Sequence, residues 1–210
     1  MAAYVSLFLM SLSAVFFVVD PIAIVPLFLT MTRDDPHDKV RRTARRACAV
    51  AGGLMLFFAL FGGMIFRIFG VSLAAFRVAG GILLLITALD MLRARPSATR
   101  TSPSEEQEGI AKDDVALVPL AMPLLAGPGA IATAMVLMSR AGEDLVAAAL
   151  VLASIVITFV ASYFVLRGAG LVQRALKASG LAVLERVMGL LLAAIAVQFI
   201  ADGIKELWRA

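Results

Sequence analysis

Six long apolar stretches follow one another through the chain, at about Tyr4–Met31, Ala47–Phe69, Leu73–Leu92, Val115–Met138, Leu145–Leu166 and Leu181–Ile204. Each is near or above the roughly 20 residues that carry a helix across the hydrocarbon core of a bilayer. In that core every backbone N–H and C=O must be bonded internally, so a spanning segment is a helix or a strand of a closed barrel. Long segments of alternating hydrophobicity, the mark of barrel strands, are absent from this sequence. Composition agrees: 61% of the 210 residues are hydrophobic and 16% charged, against about 45–50% and 25% in soluble domains. The expectation is an all-α membrane protein of six transmembrane helices, with no room for a separate soluble domain. The first stretch lacks a basic leading region and a small-residue cleavage site, and its apolar run is too long for a signal peptide. It is expected to persist as the first helix.

The net charge of +4 and the pI near 9.7 reflect loops rather than a nucleic-acid-binding surface. Of the 19 Lys and Arg residues, six lie between Arg33 and Arg46, four between Arg93 and Lys112, and three between Arg167 and Lys177. Those segments follow the first, third and fifth stretches, and Arg186 joins them at the mouth of the sixth; only Arg67, Arg77, Arg140, Lys205 and Arg209 fall on the other side. Basic loops face the cytoplasm, which predicts a multi-pass cell (inner) membrane protein with both termini outside. Tyr4 and Trp208 then fall at the outer interface and Tyr163 near the inner one. Cys48 and His37 are the only residues of their kinds, and no cluster has metal-ligand spacing. No metal, no cofactor and no enzymatic role is expected.

Two of the spans contain a break. Asp20-Pro21 interrupts the first and Gly127-Pro128-Gly129 the fourth, in a shared register of Asp20-Pro21-Ile22-Ala23-Ile24 against Gly127-Pro128-Gly129-Ala130-Ile131. Proline removes a donor and clashes with the preceding turn, so each helix is expected to be interrupted there. Interrupted helices at corresponding places in two halves point to a transporter's central binding site. The pairing recurs further on, where Arg77-Val78-Ala79-Gly80 matches Arg186-Val187-Met188-Gly189. The offsets between halves are 107 and 109 residues. Each half holds three spans, an odd number, so the halves have opposite orientations in the membrane. This predicts a first three-helix repeat at 1–92, a polar cytoplasmic linker at 93–114 and a second repeat at 115–210. Gly52-Gly53, Gly62-Gly63, Gly80-Gly81 and Gly189 are expected to mark interhelical seams, since helices in lipid associate by close backbone approach.

The chemistry of the breaks has two readings at Asp20. A carboxyl at mid-membrane is costly and is a functional candidate by default, but Asp and Pro are also a favoured N-cap and first helical residue. At the second break, two glycines leave amide groups uncovered at the positive end of a half-helix, a ready place for a carboxylate. Asp20 facing them can hold an ammonium group or a coupling cation, so the two breaks together match an amino-acid zwitterion. The candidate substrate-binding residues are Asp20, Pro21, Ala23, Ile24, Gly127, Pro128, Gly129, Ala130 and Thr133. Their small size fits either close helix contact or a pocket for a small ligand. Pro26 and Pro123 are expected to widen the breaks. Asp90, Asp202, Arg77 and the Glu185-Arg186 pair are expected to anchor span ends by snorkelling, and Gln198 to reach another helix.

Val118–Met135 (VPLAMPLLAGPGAIATAM), the RVAGGILLL run from Arg77, and Val187–Ile204 (VMGLLLAAIAVQFIADGI) closely resemble the MarC family of six-helix bacterial and archaeal inner-membrane proteins. The most specific piece is P-L-A-M-P-x-x-A-G-P-G, here Pro119 through Gly129. The resemblance covers essentially the whole chain. It implies transport of small neutral amino acids such as glycine and alanine, helices 1 and 4 broken around the substrate, and kinship in fold with lysine-exporter-type proteins. By position, the first-helix motif falls on Asp20, Pro21, Pro26 and Phe28, and the fourth-helix motif on Gly127, Pro128 and Gly129. Many members carry Gly-Asn where Ala23-Ile24 stands here, so the substrate's identity does not carry over.

The reading that follows is a secondary transporter working by alternating access on a small-molecule substrate. Asp20 is its one central carboxyl, which favours a proton as coupling ion. A channel for small solutes and a lipid-linked metabolite carrier are the alternatives. A carrier of phosphate head groups is expected to place Arg near the break, whereas the arginines here lie at span ends. The lipid bilayer is an expected partner and nucleic acid is not.

Overall fold

The computed structural model describes residues 2–93 and 116–208, so the expected linker at 93–114 lies, apart from Arg93, outside the described residues. Among them are seven helices and no strand: α1 (Ala2–Val19), α2 (Val25–Met31), α3 (His37–Phe69), α4 (Leu73–Leu92), α5 (Pro128–Ala141), α6 (Leu145–Arg167) and α7 (Ala169–Leu207). By length and composition α3, α4, α6 and α7 each hold a segment able to cross a membrane, and Ala116–Leu125 with α5 makes a fifth, bent by 56°. The first apolar stretch is divided instead. Its longer piece, Ala3–Val19, falls short of a span, and the chain resumes only as the seven-residue α2. The all-helical membrane architecture is as expected, but four of the six stretches, or five with the bent pair, reach the length of a span as helices.

Local chemistry sets these boundaries. Ser72 begins α4 by accepting the Ala75 amide at 3.1 Å. Asp144 begins α6 by accepting the amides of Val146 and Ala147 at 2.9 and 3.1 Å, as N-cap side chains do. Gly142, at φ 59°, ends α5. Lys177, at φ 53°, kinks α7. The stretch Ala116–Leu125 is not the regular half-helix the sequence suggests. Val118 and Met122 are extended there, with φ/ψ of −130°/124° and −134°/124°. Each precedes a proline, Pro119 or Pro123, and a residue before proline is driven out of the helical region.

The most extensive packing runs between the two halves of the chain. α4 lies along α7, α1 packs on α6 and α5, and α3 packs on α6, α5 and Ala116–Leu125. The α4–α7 seam is built from small residues that recur every seven positions: Ala74, Gly81 and Ala88 on α4, Gly189, Ala196 and Gly203 on α7. A Cβ on Gly81 would stand 2.9 Å from the Ala196 carbonyl oxygen, one on Gly189 3.1 Å from that of Ala88, and one on Gly203 2.8 Å from that of Ala74. Gly52, Gly62 and Gly80 also meet neighbouring helices, at Phe159, Met135 and Ala132. Gly53 and Gly63 meet nothing within 4 Å, so only one glycine of each of those pairs lies on a seam.

Polar contacts tie one end of the bundle together. The Tyr4 hydroxyl donates to Asp144 Oδ2 at 2.9 Å, Arg140 pairs with Asp202 at 2.7 Å, and Arg77 pairs with Glu206. Arg77 and Asp202, expected as separate anchors, thus join helices. Gln198, expected to reach another helix, donates to Asp202 of its own helix at 2.8 Å.

Candidate functional site between the helix breaks

Asp20 closes α1 by donating its amide to the Phe16 carbonyl at 2.9 Å. It sits at φ 46°, a left-handed conformation that Asp tolerates better than most residues. Its Oδ1 accepts the Ala23 amide at 3.3 Å, and the Val25 amide donates to the Ile22 carbonyl at 3.1 Å. The first break is therefore a turn over Pro21–Ile24, and Asp20 caps that turn rather than α2. Ile24 occupies the N-cap of α2 and supplies no side-chain hydrogen bond. Pro26 falls in the first turn of α2, where a missing amide leaves no bond unmade, so it does not widen the break. Asp20 is only 1% exposed and Ile24 2%.

Gly127 is the N-cap of α5, extended at φ −73° and ψ 167°, with Pro128 in the first turn and no side chain capping the helix. Space requires glycine at 127, where backbone stands in the way, and leaves Gly129 facing a leucine side chain that can turn aside. A Cβ on Gly127 would lie 2.8 Å from the Pro123 carbonyl oxygen, and one on Gly129 2.7 Å from Leu84 Cδ2. The start of α5 carries the partial positive charge of a helix N-terminus. Thr133 is fully buried, and its hydroxyl donates to the Gly129 carbonyl of its own helix at 2.9 Å.

Gly127, Pro128, Gly129 and Ala130 line one cavity together with Val18 of α1, Leu83, Leu84 and Thr87 of α4, and Leu124. Asp20, Pro21, Ala23, Ile24 and Thr133 do not line it, although Val18 brings the end of α1 to its wall. The cavity measures about 20 Å³, room for about one water molecule. An amino acid does not fit in it. The sequence reading missed α4 as a wall. The one signal was Thr87, a buried hydroxyl in an otherwise aliphatic run; it donates to the Leu83 carbonyl at 3.0 Å. No group of three or more His, Cys, Asp or Glu among the described residues is placed to hold a metal ion.

Long apolar helices, an interrupted span and seams of small residues define a multi-pass integral membrane protein. The family described as "MarC family integral membrane protein" matches residues 5–208, and the chain belongs to that family. It is 40% identical to a UPF0056 membrane protein of Methanocaldococcus jannaschii, over 94% of this chain and 96% of that one. It is 33% identical to a UPF0056 membrane protein of Aquifex aeolicus, over 97% and 94% of the two chains. The UPF0056 membrane protein YhcE of Escherichia coli is also 33% identical, over 92% and 89%. No solved structure matches the chain.

Proposed function

We propose that the protein is a secondary transporter for small neutral amino acids or similarly small metabolites, and not an enzyme. Substrate is held between the two breaks during alternating access, with a proton as coupling ion at Asp20. The observation that carries this reading is the uncapped N-terminus of α5 at a small cavity lined by Gly127, Pro128, Gly129 and Ala130. A half-helix starting inside the bundle presents amides to a substrate carboxylate. Asp20, buried at the end of α1 on an element packed against α5 but outside the lining of this cavity, meets the ammonium group only in a conformation that opens the site toward it.

The reading includes six spans in two inverted repeats, at 1–92 and 115–210, joined by a cytoplasmic linker at 93–114. Its support is the packing. α1 contacts α6 as Ala116–Leu125 contacts α3, and α2 contacts α7 as α5 contacts α4. Exchanging the halves carries those pairs onto one another, whereas the α1–α5, α1–α7 and α5–α6 packing has no comparable counterpart. The basic loops are assigned to the cytoplasm and both termini to the outside.

The test is thermal stabilisation of the detergent-purified protein across the amino acids, followed by counterflow in proteoliposomes, with Asp20→Asn and Gly129→Leu alongside. Small neutral amino acids are expected to raise the melting temperature of the parent protein and to leave both variants unshifted. If the folded protein responds to no amino acid, the substrate belongs to another class. If Asp20→Asn keeps full affinity and coupling, Asp20 is not part of the site.

A further inference from the structure

A second recess lies where the loop between α2 and α3 meets the turn between α6 and α7. It measures about 480 Å³, within the roughly 300–1,000 Å³ of ordinary ligand pockets. Three arginines line it: Arg33, Arg167 and Arg174. None of the three makes an ion pair among the described residues. The one carboxylate in the wall, Asp35, is paired with Lys39 at 2.8 Å, while Asp34 of the same loop and Asp38 in the first turn of α3 are not part of the lining. Among the described residues, the recess therefore carries a net positive charge that no ion pair neutralises. Gly168 is at once the C-cap of α6 and the N-cap of α7 there, so the opposite helix-end charges offset and the arginines carry the positive charge.

The opposite ends of α3 and α6 supply a comparison within the molecule. There a recess of about 730 Å³ is formed by the start of α4, the end of α5 and the neighbouring turns, and its only charged wall residue is Glu143. Two hollows occupy corresponding places at the two ends of the bundle, and only one is basic. The basic one also has an apolar side, where Leu29 and Leu171 present surface over the buried Phe28 and Leu166. Leu171 is 72% exposed, three positions before Arg174. An exposed leucine beside exposed arginines is the pattern of a segment lying at the membrane–water boundary.

We infer that this recess binds the phosphate of an anionic phospholipid headgroup, with Arg33, Arg167 and Arg174 around the phosphate and the acyl chains leaving along the apolar side. Phosphate chemistry sets the need for arginine forks. The apolar wall at interfacial depth selects a lipid over a soluble phosphate ester. Basic pockets between transmembrane helices on one leaflet are suited to such headgroups.

The experiment measures lipid retained by the full-length detergent-purified protein in native mass spectrometry, titrated with phosphatidylglycerol, phosphatidylcholine or glycerol 1-phosphate. Arg33→Gln, Arg167→Gln and Arg174→Gln are made singly and together, and Arg41→Gln with Arg42→Gln and Arg45→Gln serves as a charge-matched control. Melting without lipid checks that each variant is folded. Phosphatidylglycerol is expected to bind in preference to phosphatidylcholine and to weaken about fivefold per recess arginine removed, with the control triple near the parent. Equal loss in both triples would overturn the site in favour of a diffuse surface charge, and equal binding of the two lipids would overturn headgroup recognition. Tight binding of glycerol 1-phosphate, displacing the lipid, would overturn the lipid as the source of the phosphate.

Discussion

Asp20 serves the backbone twice with one residue, ending α1 in a left-handed conformation and capping the turn that follows. The two roles separate by substitution. Asp20→Ala loses the cap and keeps a Cβ at positive φ, for an expected cost of about 1–2 kcal/mol. Asp20→Gly loses the same cap but adopts the conformation freely, so it should melt above the alanine variant; equal melting would mean that the left-handed backbone is not what the position demands. Asp20→Asn preserves both roles, so an effect of that change on transport isolates the charge. Asp144 offers a readable pH dependence outside the spans. The Ala147 amide first, then the Tyr4 hydroxyl, hold its carboxyl below the ordinary 3.8. A lowered folded value stabilises the protein above the ordinary one and is lost as pH falls through the folded one. The melting gap between the parent and Asp144→Asn should therefore be full at neutral pH and close in acid below 3.8; a gap that persists there would place the effect elsewhere.

Glycines in a membrane helix look alike in a sequence, and the α4–α7 pair shows what distinguishes them. Gly203 would bring a Cβ to 2.8 Å from the Ala74 carbonyl oxygen, while Gly53 meets nothing within 4 Å. Gly203→Ala is expected to destabilise by about 1–3 kcal/mol as an overpacked contact. Gly53→Ala is expected to be neutral or to stabilise by up to about 1 kcal/mol through helix propensity. Thermal unfolding of the two variants side by side checks both, and a reversal of their order would remove the seam. The sequence pointed to Gly81 and Gly189 but passed over Gly203, because doublets drew attention where the seven-residue spacing of small residues was the informative sign. Proline was read as an interruption at Gly127-Pro128-Gly129 and as widening that break at Pro123, but Pro119, four residues earlier, also unwinds the preceding stretch. Their effect on Val118 and Met122 is local sterics and was open to inference from the residues alone.

For the molecule entire, membrane character, the order of apolar stretches and the places of the two breaks were readable, because each follows from local composition or from a single proline. Which residues meet around a cavity was not. That depends on how α1, α4 and α5 rotate against one another, and it brought in Leu83, Leu84 and Thr87 while Asp20 is not part of the lining. The interleaving of the halves bears on how the protein is made. α4 leaves the ribosome well before α7, yet α7 is the partner along which it packs. Until that late helix arrives, the small-residue face of α4 stands bare in lipid, and α1 likewise waits for α6. The first half is thus an unfinished surface rather than a folded intermediate, and synthesis of the second half is itself the step that completes the first.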